Sequence, residues 1–428
     1  MRRFYLTTFL IGLGFFTMGL MDPLYDTYVP IFLRTYIDKD SLVGAIMGLD
    51  NLFALALIPV VSAWSDRTHT RIGRRMPFIL VTLPATAVFF AILPYATARS
   101  LFLLVAVIFL LNIFKQAARG PVVALMPDTV PGEYRSEANG VINTMGGIAA
   151  IVGTVGLARL MDLDTVLPVL GPTKGRLPFP VAGFLVVLAT VMLFAFVREK
   201  GYAKDPSEKR IPMLKSLKMI LAGEERSALF ILISLFFWFL AYQGVLPWVG
   251  VYTVDYLNVS EGTAALSAGM VGIAYAVFAI PSGIVAHKIG RKKIIRISLL
   301  AQVVLTVILY FHYPLTLGLS RTFILISFWG TLFLFGIFWV SIITNSFPML
   351  WQMASFGNMG IYTGLYYTFS QSAAIAAPII TGVIRDITND RSIFLAAAIF
   401  MLTAFITMGF VKRGEAGEKA VIEEQRAQ

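Results

Sequence analysis

Five ionisable side chains, Asp22, Asp26, Asp50, Lys115 and Arg119, stand in the middle of long apolar runs. A charge at the centre of a membrane span costs about 2.5 to 3.5 kcal/mol on insertion scales, so such residues are expected to face a bundle interior and one another. Asp22 and Asp26 are four residues apart, as are Lys115 and Arg119, which puts each pair on one helical face. Like charges one turn apart repel, and each pair is relieved by facing the other. Three carboxylates then stand against two cations. One acid is left without a fixed partner, an arrangement suited to loading and releasing a proton. Asp22, Asp26 and Asp50 are therefore the candidate proton-coupling residues. The polar neighbours Tyr25, Asn51, Asn112 and Gln116 join Asp22, Asp26, Lys115 and Arg119 as candidate substrate contacts. No metal-ligand spacing, phosphate loop or nucleophile elbow accompanies them, so neither a metal site nor an enzyme is expected. His69, His287 and His312 fall in loops or at the ends of apolar runs.

The elements that must position these charges are read from composition. The chain has 428 residues, 57% hydrophobic and 14% charged, with a mean hydropathy of +0.78. Those values lie outside the usual range of soluble domains and mark a polytopic membrane protein. A spanning helix needs about 20 mostly apolar residues. Twelve such spans are predicted, at 4–36, 41–64, 77–97, 99–129, 137–160, 178–198, 226–256, 262–286, 293–312, 321–346, 357–385 and 391–411. Met1-Arg2-Arg3 before an apolar run imitates a secretory signal, but the small-residue cleavage site is missing, so an uncleaved first helix is expected.

On this map 24 of the 35 Lys and Arg residues fall at the termini and on the connections of the same side, nine on the opposite side and two inside a span. The bias places both termini in the cytoplasm. It also accounts for the formal charge of +11 without nucleic acid. A multi-pass protein of the plasma (inner) membrane is expected. The chain has no cysteine, hence no disulfide framework.

The longest break in hydrophobicity runs from Arg198 to Arg226 and divides the chain into a six-helix bundle at 1–198, a cytoplasmic linker at 199–225, a second six-helix bundle at 226–411 and a tail at 412–428. Within the linker, Ile211 to Leu221 reads either as an amphipathic helix on the inner membrane surface or as a disordered basic segment. Internal repetition supports two halves. Gly73-Arg74-Arg75 is echoed by Gly290-Arg291-Lys292, Pro59 by Pro281 and Leu125-Met126-Pro127 by Phe347-Pro348, at offsets of 217 to 222 residues. The fold class expected is all-α, with twelve transmembrane helices in two pseudo-symmetric bundles and a site near the bilayer midplane.

Ser65 to Phe78, SDRTHTRIGRRMPF, is a dense run of charge between two apolar spans. It resembles the loop between the second and third helices of the major facilitator superfamily, and the resemblance extends over nearly the whole chain. Asp66 and Gly73 are seven residues apart, a lengthened form similar to the sucrose/proton symporter branch and the related glycoside-pentoside-hexuronide:cation symporters. The segment Arg119 to Asp128, followed by Glu133 to Gly140, is similar to the exit of the fourth helix in sucrose-type carriers. Asp22 stands where melibiose-type carriers keep a sugar-contacting acid. Ala54 and Arg119 replace acids of the cation-coupled carriers, which speaks against sodium as the coupling ion.

The second half carries no charge at positions offset from Lys115, Arg119 and Asp128. Its candidate substrate contacts are neutral: Tyr242, Gln243, Trp339, Tyr366 and Gln371, with Tyr275 at similar depth. A sugar asks for this mixture of polar groups for hydroxyls and rings for C–H faces. The expectation is a secondary transporter, without cofactor and driven by a proton gradient, moving a disaccharide such as sucrose or maltose by alternating access and working as a monomer. A carrier of another metabolite, organic anion or drug, an exporter included, is the alternative. Asp66, Arg67, Arg71, Arg74 and Arg75 are expected to form a cytoplasmic gate with Glu133, Arg135 and Glu137.

Overall fold

A computed structural model describes residues 2–129, 135–168, 170–199, 226–353 and 359–414; side chains of 2–5, 127, 135–140, 143, 280, 287, 351, 359–361 and 363 are outside the description. Twelve α-helices occur among the described residues. The first six are α1 (Arg2–Arg34), α2 (Asp40–Arg67), α3 (Met76–Thr97), α4 (Leu101–Thr129), α5 (Arg135–Ile151) and α6 (Pro178–Phe196). The second six are α7 (Ser227–Leu257), α8 (Glu261–Ile289), α9 (Arg291–Thr316), α10 (Arg321–Gln352), α11 (Met359–Ile387) and α12 (Ser392–Gly409). Among the described residues there are twelve helical stretches long and apolar enough to cross a membrane, in the order expected. It is an all-helical, multi-pass membrane protein. One small addition lies outside the spans, an antiparallel pair of two-residue strands, β1 (Val166–Leu167) and β2 (Gly171–Pro172).

Two compact units result. The first comprises Met1–Asp205 with Pro247–Gly272, the second Pro206–Leu246 with Ile273–Gln428. The C-terminal part of α7 and the start of α8 thus belong with the first six helices. Apart from Glu199, the expected linker lies outside the described residues, and so does its segment Ile211 to Leu221.

In the first unit α1 packs along α5, and glycines set the distance. A Cβ at Gly19 would overlap the Gly146 carbonyl, and one at Gly153 would stand 2.9 Å from the Leu20 carbonyl oxygen. Without a hydrophobic drive between helices in lipid, such small-residue contacts carry much of the packing. Beyond Gly146, α5 loosens into a π-helical turn, Val152–Leu157. Prolines inside α1 (Pro23 and Pro30) remove backbone donors, which is tolerated in spans where neighbouring groups satisfy the freed carbonyls. An aromatic cluster of Tyr28, Phe32, Phe90 and Phe179 closes one end of this unit, with centroids 5.0 to 6.5 Å apart.

In the second unit α9 packs against α10 and α12. Buried Gln302 donates to the Phe335 carbonyl at 3.0 Å, and His312, one turn inside the end of α9, bonds Ser327 at 2.8 Å. The internal repeat has a backbone signature. Gly73 and Gly290, which precede the Arg-Arg and Arg-Lys pairs, take φ values of +110° and +96°, a region that only glycine enters freely.

Candidate functional site

Helices α1, α2 and α4 bring charge together inside the first unit. Lys115 Nζ lies 2.8 Å from Asp22 Oδ1 and 3.2 Å from Asp50 Oδ2. The lysine side chain is 5% exposed, those of Asp22 and Asp50 37% and 18%. Asp26, half-buried one turn beyond Asp22, interacts with Lys115 through space without an ion pair among the described residues. Three carboxylates therefore share one lysine.

Arg119 departs from expectation. It is exposed and forms no ion pair among the described residues, so the Lys115/Arg119 pair does not face the acids as a unit. Four residues on a helix advance slightly more than one turn, and while Lys115 turns inward to Asp22 and Asp50, Arg119 is exposed.

Around the lysine the polar neighbours are organised. Gln116 donates to Asp50 Oδ1, Asn112 donates to the Tyr25 hydroxyl at 2.8 Å, and Lys115 Nζ stands 4.7 Å over the Tyr25 ring. Asn112, Gln116 and Tyr25 are each at most 1% exposed. Their second groups matter. The carbonyl oxygens Asn112 Oδ1 and Gln116 Oε1 are buried and accept no hydrogen bond among the described residues. Buried acceptors of this kind are stabilised by a donor from a bound molecule. Asn51, next to Asp50, is half-buried.

The second unit presents aromatic faces of its own. Tyr242 stacks on Trp339 with centroids 4.0 Å apart and planes 6° from parallel. Phe239 meets Trp339 edge-on at 5.6 Å, and Tyr366 packs against Phe347 at 4.4 Å while its hydroxyl lies 3.2 Å from Ser346 Oγ. Gln243 and Gln371 are half-buried, and Gln371 Oε1 accepts no hydrogen bond among the described residues. Tyr275 is 39% exposed.

The charged loop after α2 forms a network of different membership from that expected. Arg75, 1% exposed, reaches Asp128 Oδ2 at 2.9 Å, pairs with Asp66 and bonds the Ser62 carbonyl and Ser65. Arg74 makes a second, two-pronged contact to Asp128 at 2.7 and 3.1 Å and lies 3.5 Å from Glu199. Glu199 Oε2 also accepts the Arg75 backbone N–H at 2.9 Å. Arg67 and Arg71 are exposed and outside it. Glu133 and the side chains of Arg135 and Glu137 lie outside the described residues. Asp128 and Glu199, missing from the expected set, are the acids that answer the arginines. In the sequence both stand at the ends of apolar runs, where charge is ordinary and carries no sign of burial.

At the opposite end of the first unit a further set had no sequence signal beyond its charge. Arg34 pairs with Asp40 at 3.1 Å and with Asp255 of α7. Asp162 accepts from Ser260 at 2.7 Å and from the Gly262 N–H at 3.3 Å, capping α8 from another element.

Solved structures share this fold at low identity. The nucleoside transporter NupG matches with a TM-score of 0.71 and 14% identity over 95% of this chain and 100% of that one. A bacterial homologue of the iron transporter ferroportin gives 0.70 and 13% over 95% and 99%. A bacterial homologue of the human lysosomal transporter Spinster gives 0.67 and 15% over 95% and 93%. No curated protein matches the sequence. The family description Major Facilitator Superfamily matches residues 4–378 and 255–428. Twelve apolar helices, a repeated glycine-basic turn and this match make one conclusion: the chain belongs to the Major Facilitator Superfamily and is a membrane transporter.

Proposed function

We propose that this transporter moves a sugar, a disaccharide such as sucrose or maltose, together with a proton into the cell, working as a monomer with both termini in the cytoplasm. The observation that carries the reading is the sharing of one buried lysine by Asp22, Asp26 and Asp50. A site with more carboxylates than cations inside a span favours taking up a proton, and a proton taken up there changes which acid Lys115 holds. The orphaned acceptors of Asn112 and Gln116 suit sugar hydroxyls, and the Tyr242–Trp339 stack offers a flat face of the kind that packs on sugar C–H groups. The test is uptake of labelled sucrose and maltose into proteoliposomes under an imposed pH gradient. Asp22→Asn and Asp50→Asn are expected to abolish gradient-driven uptake; unimpaired uptake in both removes the coupling scheme.

A second reading is favoured by one observation. Arg119, exposed and without an ion pair among the described residues, is a cation available to an organic anion. Uptake of a labelled organic acid that is lost in Arg119→Gln, with no sugar transported, selects that reading.

A further inference from the structure

The second unit holds a concentration of cations at the end where α7 begins and α12 finishes. Arg291, Lys292, Lys293 and Arg296 open α9, and Lys412 and Arg413 follow α12. Among the described residues of this unit the acids are Asp386 and Asp390, both at the far end of α11, where Arg385 holds Asp390. In the first unit the equivalent basic pair, Arg74 and Arg75, is answered by Asp128. The second unit has Met349 at the corresponding position.

The side chains at this end take different partners. Lys292 turns to backbone carbonyls at the end of α12, Gly409 at 3.2 Å and Val411. Lys293 is exposed. Arg296 lies across the Phe405 ring at 4.7 Å, and its buried Nε has no hydrogen-bond acceptor among the described residues. These three cations and Ile297, Leu300 and Phe405 line a cavity of about 350 Å³. Ile297 and Leu300 are each 47% exposed on the outer surface of the span. The cavity is therefore cationic at the membrane edge and apolar one turn deeper.

Loop cations attract anionic lipid diffusely in many membrane proteins. Here there is in addition an open cavity, a guanidinium Nε without an acceptor among the described residues and an apolar floor. A guanidinium fork matches two phosphate oxygens, and an ammonium beside it adds a point charge. A free phosphate would use only the upper part; a molecule carrying both a phosphate and hydrocarbon uses all of it. We infer that this cavity binds an anionic phospholipid, with its phosphate between Lys293 and Arg296 and an acyl chain along Ile297 and Leu300.

The experiment is native mass spectrometry of the full chain in mild detergent, with phosphatidylglycerol, phosphatidylcholine or inorganic phosphate added. Phosphatidylglycerol should be retained about tenfold more than phosphatidylcholine, as two cations near a headgroup imply. The Lys293→Gln/Arg296→Gln double variant should fall to the phosphatidylcholine level, and the exposed single change Lys293→Gln should lower retention without disturbing the fold. Lys412→Gln, at the same end but outside the cavity, should retain lipid as the wild type does. Equal retention of the two lipids, or undiminished phosphatidylglycerol in both cavity variants, overturns the site. Displacement of the lipid by inorganic phosphate overturns the lipid in favour of a free anion.

Discussion

Lys115 and Asp22 form an ion pair at 2.8 Å in which the two partners are unequally hidden, the lysine 5% exposed and the carboxylate 37%. Lys115 is also the cation that Asp22, Asp26 and Asp50 share. Replacing Lys115 by Met leaves the acids of α1 and α2 without a counter-charge; breaking a fully buried pair costs about 3 to 5 kcal/mol, and the partial exposure of Asp22 and Asp50 brings the loss below that range. A melting curve in detergent should show a large loss for Lys115→Met and a substantial recovery in Lys115→Met/Asp50→Asn. Additive losses in the double variant would mean that the two side chains do not share one electrostatic site.

Arg75 and Asp128, each 1% exposed, form the centre of the network after α2. Asp128→Asn should therefore destabilise the first unit by about 3 kcal/mol. Arg71→Ala, at an exposed position of the same loop, should stay within about 0.5 kcal/mol. Asp66 is 26% exposed, nearer to a latch than to a core residue. Asp66→Ala should slow transport while leaving substrate affinity in binding assays largely intact. A fall in affinity with an unchanged rate would contradict that role.

The contrast between these residues shows what the sequence made legible. Twelve spans were readable because each must satisfy its backbone in lipid and so is written as a long apolar run. Asp22, Asp50 and Lys115 were readable because charge is costly there. Arg119 looked like their equal by spacing, yet helix spacing alone does not say which side of α4 faces the acids. Asp128 and Glu199 were overlooked for the opposite reason. They lie at helix ends, where charge is ordinary, and only folding reveals that they are 1% exposed and 3% exposed in the side chain. The Arg34–Asp255 pair joins residues 221 positions apart, a proximity that no local pattern encodes.

Gly73 tests the backbone argument. Its φ of +110° is strained for any side chain, and a Cβ there would meet the Glu199 side chain. Gly73→Ala should lose about 1 to 2 kcal/mol from conformation alone, and more from displacing Glu199. Gly171 also has a positive φ, +70°, but open space around it. Gly171→Ala should therefore lose less in the same melting assay; equal losses would show that the Glu199 contact contributes nothing.

Tyr242 offers a test of the neutral lining. It is half-buried and stacked on Trp339, so Tyr242→Phe keeps the ring and removes only the hydroxyl. Tyr242→Leu removes the stack, which is worth about 0.5 to 1.5 kcal/mol. If the ring faces bound sugar, KM should rise about threefold to tenfold in the Leu variant and change little in the Phe variant. Equal effects would assign the role to the hydroxyl.

Arg34 holds Asp255 while retaining Asp40 at 3.1 Å, and both ends of the Asp255 pair are partly open, at 30% and 38% exposure. An exposed pair of this kind contributes at most about 1 kcal/mol. That is too little to govern global stability and enough to govern local opening. Asp255→Asn frees the end of α7 from α1 but leaves Arg34 neutralised by Asp40, so the melting temperature should hardly move. Asp162 still caps α8 through Gly262, which confines the effect to the connection between α7 and α8. Amide hydrogen exchange should rise up to about fivefold at Leu257 to Ser260. The increase should shrink in high salt, where the wild-type pair is itself screened. Exchange that rises equally throughout α7 and α8 would instead mark the pair as part of the global fold.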